Sequence, residues 1–447
     1  MIDFSLLIFT VYGVIVAAFL AMIPGLHVYN MVALLLLMTI GTLVALPEIE
    51  LVLFMFGLLV GYSVMNSISS VFFSIPDDST IFTVFPSQRF MLQRRGFEAS
   101  LLTGIGGLMG AGVLVMCSLP IPGLNQSLLT FVLAPLHILL TDHLAWIILA
   151  ITLFMLLIEC PKDIDRGGTP LYRLVKGWTP LLFGLLAFCL SAILGFIITY
   201  KPLIPVERSF QNIMPALIGL FGLPFVTIAL LNRTEVPKQH IPKSIDLDVQ
   251  HILKGTTAGT IGGLIAAFFP AVTGGMGSLI AGHTTAQRDD RIFMISQGAT
   301  KVIYYVGAAL LLFVPGVEII RGAGASMISA VFTPEGYQDF YLVAGAIGLA
   351  GVLSFVMLIV MSVFAAKIVE QISYRLLNIV TLVIQIVLVI LIAGPVGIFI
   401  AAVAWGIGLI PHLYFSRVTN NMAVLIVPIV FNMAGIGDAV AEFLHLL

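Results

Sequence analysis

Apolar runs about as long as a bilayer is thick, roughly 20 residues each, recur from Phe4 to the last turn of this chain. That feature leaves few folds open. In hydrocarbon every backbone amide and carbonyl must find its partner within the protein, so a chain of such runs forms helices that cross or enter the membrane. Composition agrees: of 447 residues, 60% are hydrophobic and 9% charged, too few charges to cover a water-soluble domain. The fold class expected is an all-α polytopic membrane protein. The first run has Asp3 as its only early charge, so it is expected to be a retained segment and not a cleaved signal peptide. Cys117, Cys160 and Cys189 make no spacing motif and suggest neither a disulfide framework nor a metal site. No Walker sequence, metal-ligand cluster or nucleophile motif stands out, so no cofactor, no nucleic-acid partner and no enzymatic activity are expected.

Hydrophobic segments fall at roughly 5–23, 28–46, 51–75, 98–118, 126–159, 178–199, 212–231, 255–269, 275–286, 297–314, 341–366, 377–393, 396–415 and 421–440. The long run 126–159 is broken at Thr141, Asp142 and His143 and is taken as one net crossing. Lys and Arg mark the cytoplasmic side. Placing the loops near 89–95, 162–176, 233–254, 288–291, 367–375 and Arg417 inside collects most of the 20 basic residues. Lys201, Arg208 and Arg321 fall outside, and Lys301 is left inside a hydrophobic segment. Both termini are then extracytoplasmic, in a multi-pass protein of the cell membrane.

The two halves follow one pattern in opposite orientation. Segments 5–23 and 28–46 are separated by IPGLHVYN (23–30), and segments 255–269 and 275–286 by FPAVTGGMG (269–277). Each pair precedes a span ending in a proline turn, SIPDD (74–78) or FVPG (313–316), and then further spans. The expected organisation is two inverted-topology repeats, 1–231 and 255–447, joined by a cytoplasmic linker at 232–254. Each repeat has a Pro/Gly-interrupted hairpin followed by five membrane crossings. Interrupted segments at matching positions point to a binding site. The second pair, with arms of about 15 and 12 residues, is too short to span at about 1.5 Å per residue and is expected to be re-entrant. The first pair is long enough to be a hairpin or two full spans.

A helix that restarts inside a membrane presents unpaired amides at the positive end of its dipole. Two such ends, one from each repeat, would cradle an anion near the midplane. Candidate substrate-binding residues are therefore Pro24, Gly25, His27, Tyr29 and Asn30 at the first break. At the second they are Thr273, Gly274, Gly275, Gly277 and Ser278, with polar atoms also at His283, Thr284 and Thr285. Asn66, Ser67, Ser69 and Ser70 either line the cavity or bond between helices. Asp77 and Asp78 are candidate ligands of a coupling ion, Na+ or H+, or else charges at a helix end. Lys301 is a candidate partner of the anion. Its segment begins near Gln297, however, so snorkelling to the cytoplasmic surface is the expected state. TGIGGLMGAG (103–112) lies inside a span, and Gly106 and Gly110 there form a close-packing face, not a nucleotide loop. Asp142 and His143 read equally as a proton relay or a surface loop.

PGLH (24–27), GYSVMNSISSVFFSIPDDSTIF (61–82) and QRRGFEASLLTGIGGLMGAG that follows resemble the large permease subunit (TctA-like) of tripartite tricarboxylate transporters. GIGLIPHLYFSRVTNNMAVLIVPI (406–429) fits the shorter, archaeal-like branch. The resemblance implies a secondary active transporter that holds a di- or tricarboxylate between two hairpins. It also implies two partners, a small membrane subunit and an extracytoplasmic binding protein. Two positions depart from the family pattern: His27 stands where bacterial members have Gly, and Ala271 follows Pro270 where Pro-Gly is usual. The hairpin pair is also similar to that of polyprenyl-phosphate carriers, which would make the ligand a lipid phosphate. A reading from another class is an intramembrane enzyme or a non-transporting membrane scaffold.

Overall fold

The computed structural model describes residues 4–23, 47–73, 79, 83–124, 126–159, 169–201, 203–204, 213–231, 237–285, 289–369, 371 and 373–447. The described chain is helical and contains no strand; its one β-bridge joins Pro120 and Ser127. Six described helices are long and apolar enough to cross a membrane, or eight if each of two bent pairs is one span. Large apolar side chains such as Phe19, Leu139 and Phe399 are fully outward-facing. In water such faces would aggregate, whereas in lipid they are solvated.

In chain order the helices are α1 Leu7–Ala21, α2 Glu48–Met65, α3 Ser67–Phe72, α4 Val84–Leu92, α5 Gly96–Ser118 and α6 Leu128–Thr141. Next come α7 Leu144–Leu157, α8 Pro170–Tyr200 and α9 Ile213–Leu231, the last with a π turn at Ile218–Gly222. The second half holds α10 Val249–Phe268, α11 Gly274–Thr284, α12 Asp290–Val302, α13 Gly322–Ser329 and α14 Tyr337–Ile368. It ends with α15 Tyr374–Tyr414, α16 Ala423–Met433 and α17 Gly437–Phe443. Residues 377–393 and 396–415, read as separate segments, are two helices joined end to end within α15. Its break falls at Gly394, which takes φ +71 ahead of Pro395, a backbone state natural to glycine.

The chain divides into two compact units of packing. One holds Met1–Thr141 and Glu235–Tyr374, the other Asp142–Thr234 and Arg375–Leu447. The break seen in sequence at Thr141–His143 is the point where the chain passes from the first to the second.

Helix contacts in the first unit are made by small residues. A Cβ on Gly106 would fall on the carbonyl oxygen of Ile295, and one on Gly110 would lie 2.9 Å from that of Ala299. Gly298 answers from the other side, against the Thr103 carbonyl. The close-packing face expected at Gly106 and Gly110 is therefore the α5–α12 interface, where the helices run parallel. Gly255, Gly259 and Gly263 bring α10 equally close to α12, meeting Ile295, Ser296 and Ile303 in turn. Without a hydrophobic force between helices in lipid, such approach supplies the dispersion contact that holds them. One cross-helix hydrogen bond, Thr300 Oγ1 to Gly259 O at 3.1 Å, pins the register.

At one end of this unit Glu98 is shared by two cations. Arg95 reaches it at 2.6 Å and Arg291 at 3.1 Å. Arg291 also donates to Asp246 O. Gln239 accepts from Gly96 N and donates to Met91 O, so residues 237–248 are fastened across the starts of α5 and α12.

Candidate functional site

The second break is a turn between two packed helical arms. α10 ends at Phe268, Ala271 takes φ +62, and α11 starts at Gly274. Ala271 thus occupies, in the left-handed conformation, the place where the family pattern carries glycine. The arms meet at their glycines: a Cβ on Gly277 would overlap the Gly262 carbonyl, and one on Gly262 would lie 2.8 Å from the Gly277 oxygen. The arms are unequal. α10 begins at Val249, capped by Asp248, and at about 1.5 Å per residue is about 30 Å long. Its polar first turns (VQHILK) hid that length in the sequence. α11 is the short arm expected.

Thr273 caps α11, accepting from Met276 N at 3.5 Å, while Gly277 N bonds to Thr273 O at 2.9 Å. Thr273 and Gly274 to Ser278 are all buried. Ser278 Oγ donates to Gly274 O at 2.8 Å, so its hydroxyl proton is engaged within the helix. His283, Thr284 and Thr285 lie at the far end of α11 and bond to its own carbonyls. The tip itself is tightly met. A Cβ on Gly274 would stand 3.0 Å from Tyr304 Cδ1 and 3.0 Å from Ser79 Cβ, so glycine lets the tip sit against both.

α12 begins at Asp290, with Asp289 as its cap, and not near Gln297. Lys301 is therefore about 16 Å along the helix at about 1.5 Å per residue. Through a π turn at Ile303–Gly307 the helix continues to Leu310, which puts Lys301 near the middle of the rod. Its side chain is 2% exposed. Snorkelling is thus corrected: the earlier helix start carries Lys301 too deep to reach water, and the side chain turns inward. Lys301 Nζ lies 5.2 Å from the centroid of the Tyr62 ring, in cation–π range.

Tyr62 links the parts. Its hydroxyl accepts from Asn66 Nδ2 at 2.8 Å. Its ring meets that of Tyr305 edge-on at 6.5 Å, and Tyr305 packs on Tyr304 at 4.6 Å. A continuous set of contacts therefore runs from Asn66 through Tyr62 to Lys301, and through the two tyrosines to Gly274. The structure brings together Asn66, Lys301 and the α11 tip among the candidates. Ser67 instead donates to Val64 O at the end of α2, and Ser70 to Ser67 O within α3. Ser69 Oγ is buried without a hydrogen bond among the described residues. Pro24, Gly25, His27, Tyr29, Asn30, Asp77 and Asp78 lie outside the described residues.

Tyr62, Ser79, Gln297, Tyr304 and Tyr305 were not singled out in the sequence. A signal existed for two of them: Tyr62 precedes Asn66, and Gln297 precedes Lys301, by the four-residue spacing that places side chains on one helix face.

In the second unit, Glu159 accepts from Arg417 N and from Asn420 Nδ2. Gly184 leaves room for this pair, since a Cβ there would meet Glu159 Oε2 at 2.5 Å. Burial pushes the Glu159 carboxyl above its ordinary range, against the opposing pull of those hydrogen bonds.

The fold defines a multi-pass helical membrane protein with a lysine enclosed beside a broken helix pair. A family model described as tripartite tricarboxylate transporter TctA family matches residues 7–423. The chain belongs to that family, a family of transporters. A relative in Methanocaldococcus jannaschii, described as an uncharacterised protein, is 25% identical over 297 residues. That match covers 66% of this chain and 65% of the relative, so the chain spans just under two thirds of the relative's length. No solved structure matches.

Proposed function

We propose that this protein is a secondary active transporter of an anionic substrate, a di- or tricarboxylate, bound near the membrane midplane and moved by alternating access. The observation that carries the reading is Lys301: an ammonium group 2% exposed, half-way along its helix and over the ring of Tyr62. An ionisable side chain enclosed within a membrane span marks a functional site by default. Contacts through Tyr62, Tyr305 and Tyr304 connect Lys301 to a capped, glycine-lined helix start, whose dipole also favours negative charge. The reading includes the inverted repeat of 1–231 and 255–447, with the 24–30 break facing the 270–278 break across the substrate. It places both termini outside the cell and assigns Asp77 and Asp78 to a coupling Na+ or H+. Family membership favours two partners, a small membrane subunit and an extracytoplasmic binding protein.

The test is uptake of labelled di- and tricarboxylates by proteoliposomes, run beside a polyprenyl-phosphate flipping assay. Carboxylate uptake is expected, with Lys301→Gln lowering apparent affinity tenfold or more. Such a loss corresponds to the ~1.5–3 kcal/mol typical of hydrogen bonds to charged groups. Lipid-phosphate movement without carboxylate uptake would replace this reading with the lipid-carrier one. Normal affinity in a well-folded Lys301→Gln would remove Lys301 from the site.

A further inference from the structure

We infer that the π turn of α9 is a binding site for an alkali-metal cation, held by neutral oxygens within the second unit. The site is apart from Lys301 and does not depend on what the protein carries. The turn spans Ile218–Gly222, and Leu223 N donates to Ile218 O across it. Leu223 N is thereby withdrawn from Gly219 O, the acceptor it would have in an α-helix. The next residue is Pro224, which has no N–H to give Leu220 O four residues back. Two consecutive carbonyls, those of Gly219 and Leu220, are thus released from the helix ladder. Both open toward Gly408 of α15: a Cβ there would lie 2.9 Å from Gly219 O and 2.6 Å from Leu220 O. Glycine leaves the space beside them free of a side chain.

Asn421 supplies a third oxygen. It belongs to the 3₁₀ turn Val418–Met422 that leads into α16, and its Nδ2 donates to Leu220 O at 3.2 Å. The side chain is 0% exposed, and Oδ1 has no hydrogen-bond partner among the described residues. The bond from Nδ2 carries Oδ1 into the neighbourhood of the released carbonyls. What converges here is a set of acceptors, and a buried acceptor left alone is costly. A cation satisfies several oxygens at once, whereas a water has only two protons to give. Carbonyls of interrupted helices coordinate Na+ at membrane depth, and π turns are frequent at functional sites. The three oxygens are uncharged, which suits a monovalent ion better than Ca2+ or Mg2+, whose sites are built on carboxylates.

The experiment uses the full chain in detergent. Thermal midpoints are read in NaCl, KCl and choline chloride at equal ionic strength, beside equilibrium binding of radiolabelled Na+. Na+ or K+ is expected to raise the wild-type midpoint saturably over choline, because a ligand of the folded state alone stabilises it by mass action. Identical midpoints in the three salts would mean that the turn holds water only and would overturn the inference; that measurement needs no variant to fold. Asn421→Leu is expected to raise the ion concentration needed for the response by about tenfold or more. The response is read as the difference between salts within that variant, so its own stability cancels. Asn421→Asp separates a ligand from a strut. It keeps an oxygen and adds charge but cannot donate to Leu220 O, so a ligand role predicts a retained Na+ or K+ response and a new response to Ca2+. A lowered midpoint with no ion response means that the amide only holds Leu220, and overturns the inference. Asp77→Asn/Asp78→Asn should keep the response. If that variant loses it while Asn421→Leu keeps it, the cation sits at the aspartates and the inference fails, with the carrier reading intact.

Discussion

Lys301 Nζ stands 5.2 Å from the ring centroid of Tyr62, and the hydroxyl of that ring is held by Asn66 Nδ2 at 2.8 Å. One tyrosine therefore positions the cation with its face and an amide with its edge. Tyr62→Phe should keep the cation–π contact and lose the hydrogen bond, at a cost of about 0.5–1.5 kcal/mol in stability. Tyr62→Leu should lose both, adding about 1–2 kcal/mol for a desolvated cation–π pair and opening space beside Tyr305. Thermal unfolding in detergent orders the three proteins. A Leu variant as stable as the Phe variant would show that the ring face contributes nothing.

The α5–α12 contact predicts opposite outcomes for two glycines on one helix. Gly106→Ala places a methyl on the Ile295 carbonyl and should cost about 1–3 kcal/mol, as overpacking does. A Cβ on Gly112 has nothing within 4 Å, so Gly112→Ala should be neutral or stabilising by up to about 1 kcal/mol through helix propensity. Unfolding midpoints of the pair check this, and equal effects would contradict the close approach.

Glu98 is nearly buried between Arg95 and Arg291, whereas the Arg89–Asp290 pair is 64% and 39% exposed. Glu98→Gln should cost about 1–3 kcal/mol, because two cations lose a shared charged acceptor. Asp290→Asn should cost under about 1 kcal/mol and become silent in high salt. Unfolding at two salt concentrations distinguishes them.

Ala271 adopts φ +62 in the turn before α11. That region costs an L-residue of order 1–2 kcal/mol, of which the extra freedom of an unfolded glycine returns roughly 0.4–1 kcal/mol. Ala271→Gly should therefore be neutral or stabilising, and Ala271→Val destabilising, in the same unfolding assay. A destabilising Gly variant would mean that the turn does not hold its left-handed geometry.

Glu159 makes stability depend on pH. Its folded pKa is raised by burial above the ordinary 4.5, so the native state holds this proton more tightly than the unfolded chain. The associated stability is fully present below about 4.5 and is lost as pH rises through the folded value. Relative to Glu159→Gln, the wild type should lose stability across that window and run parallel to it below. Midpoints measured from pH 4 upward test the sign, and a wild type that gains stability over the variant on raising the pH would reverse it.

Membrane-length apolar runs and the absence of any sizeable polar domain were enough to settle an all-helical, multi-pass protein, because hydrocarbon permits the backbone few alternatives. The Gly106–Gly110 face and the break before Gly274 were legible for a related reason. Glycine spacing and proline turns are local signals, written within one or two turns of chain. The depth of Lys301 was not local. It depended on α12 starting at Asp290 (in a stretch too polar for a hydropathy reading to include) and on α5 and α10 covering two faces of that helix. The same packing sealed in Gln297, which sequence alone leaves as an ordinary polar residue near a loop. Tyr62, Tyr304 and Tyr305 looked like apolar filler until α2 and α12 came together. Which polar groups lie out of reach of water is a property of the assembled helices, and tertiary structure decided it.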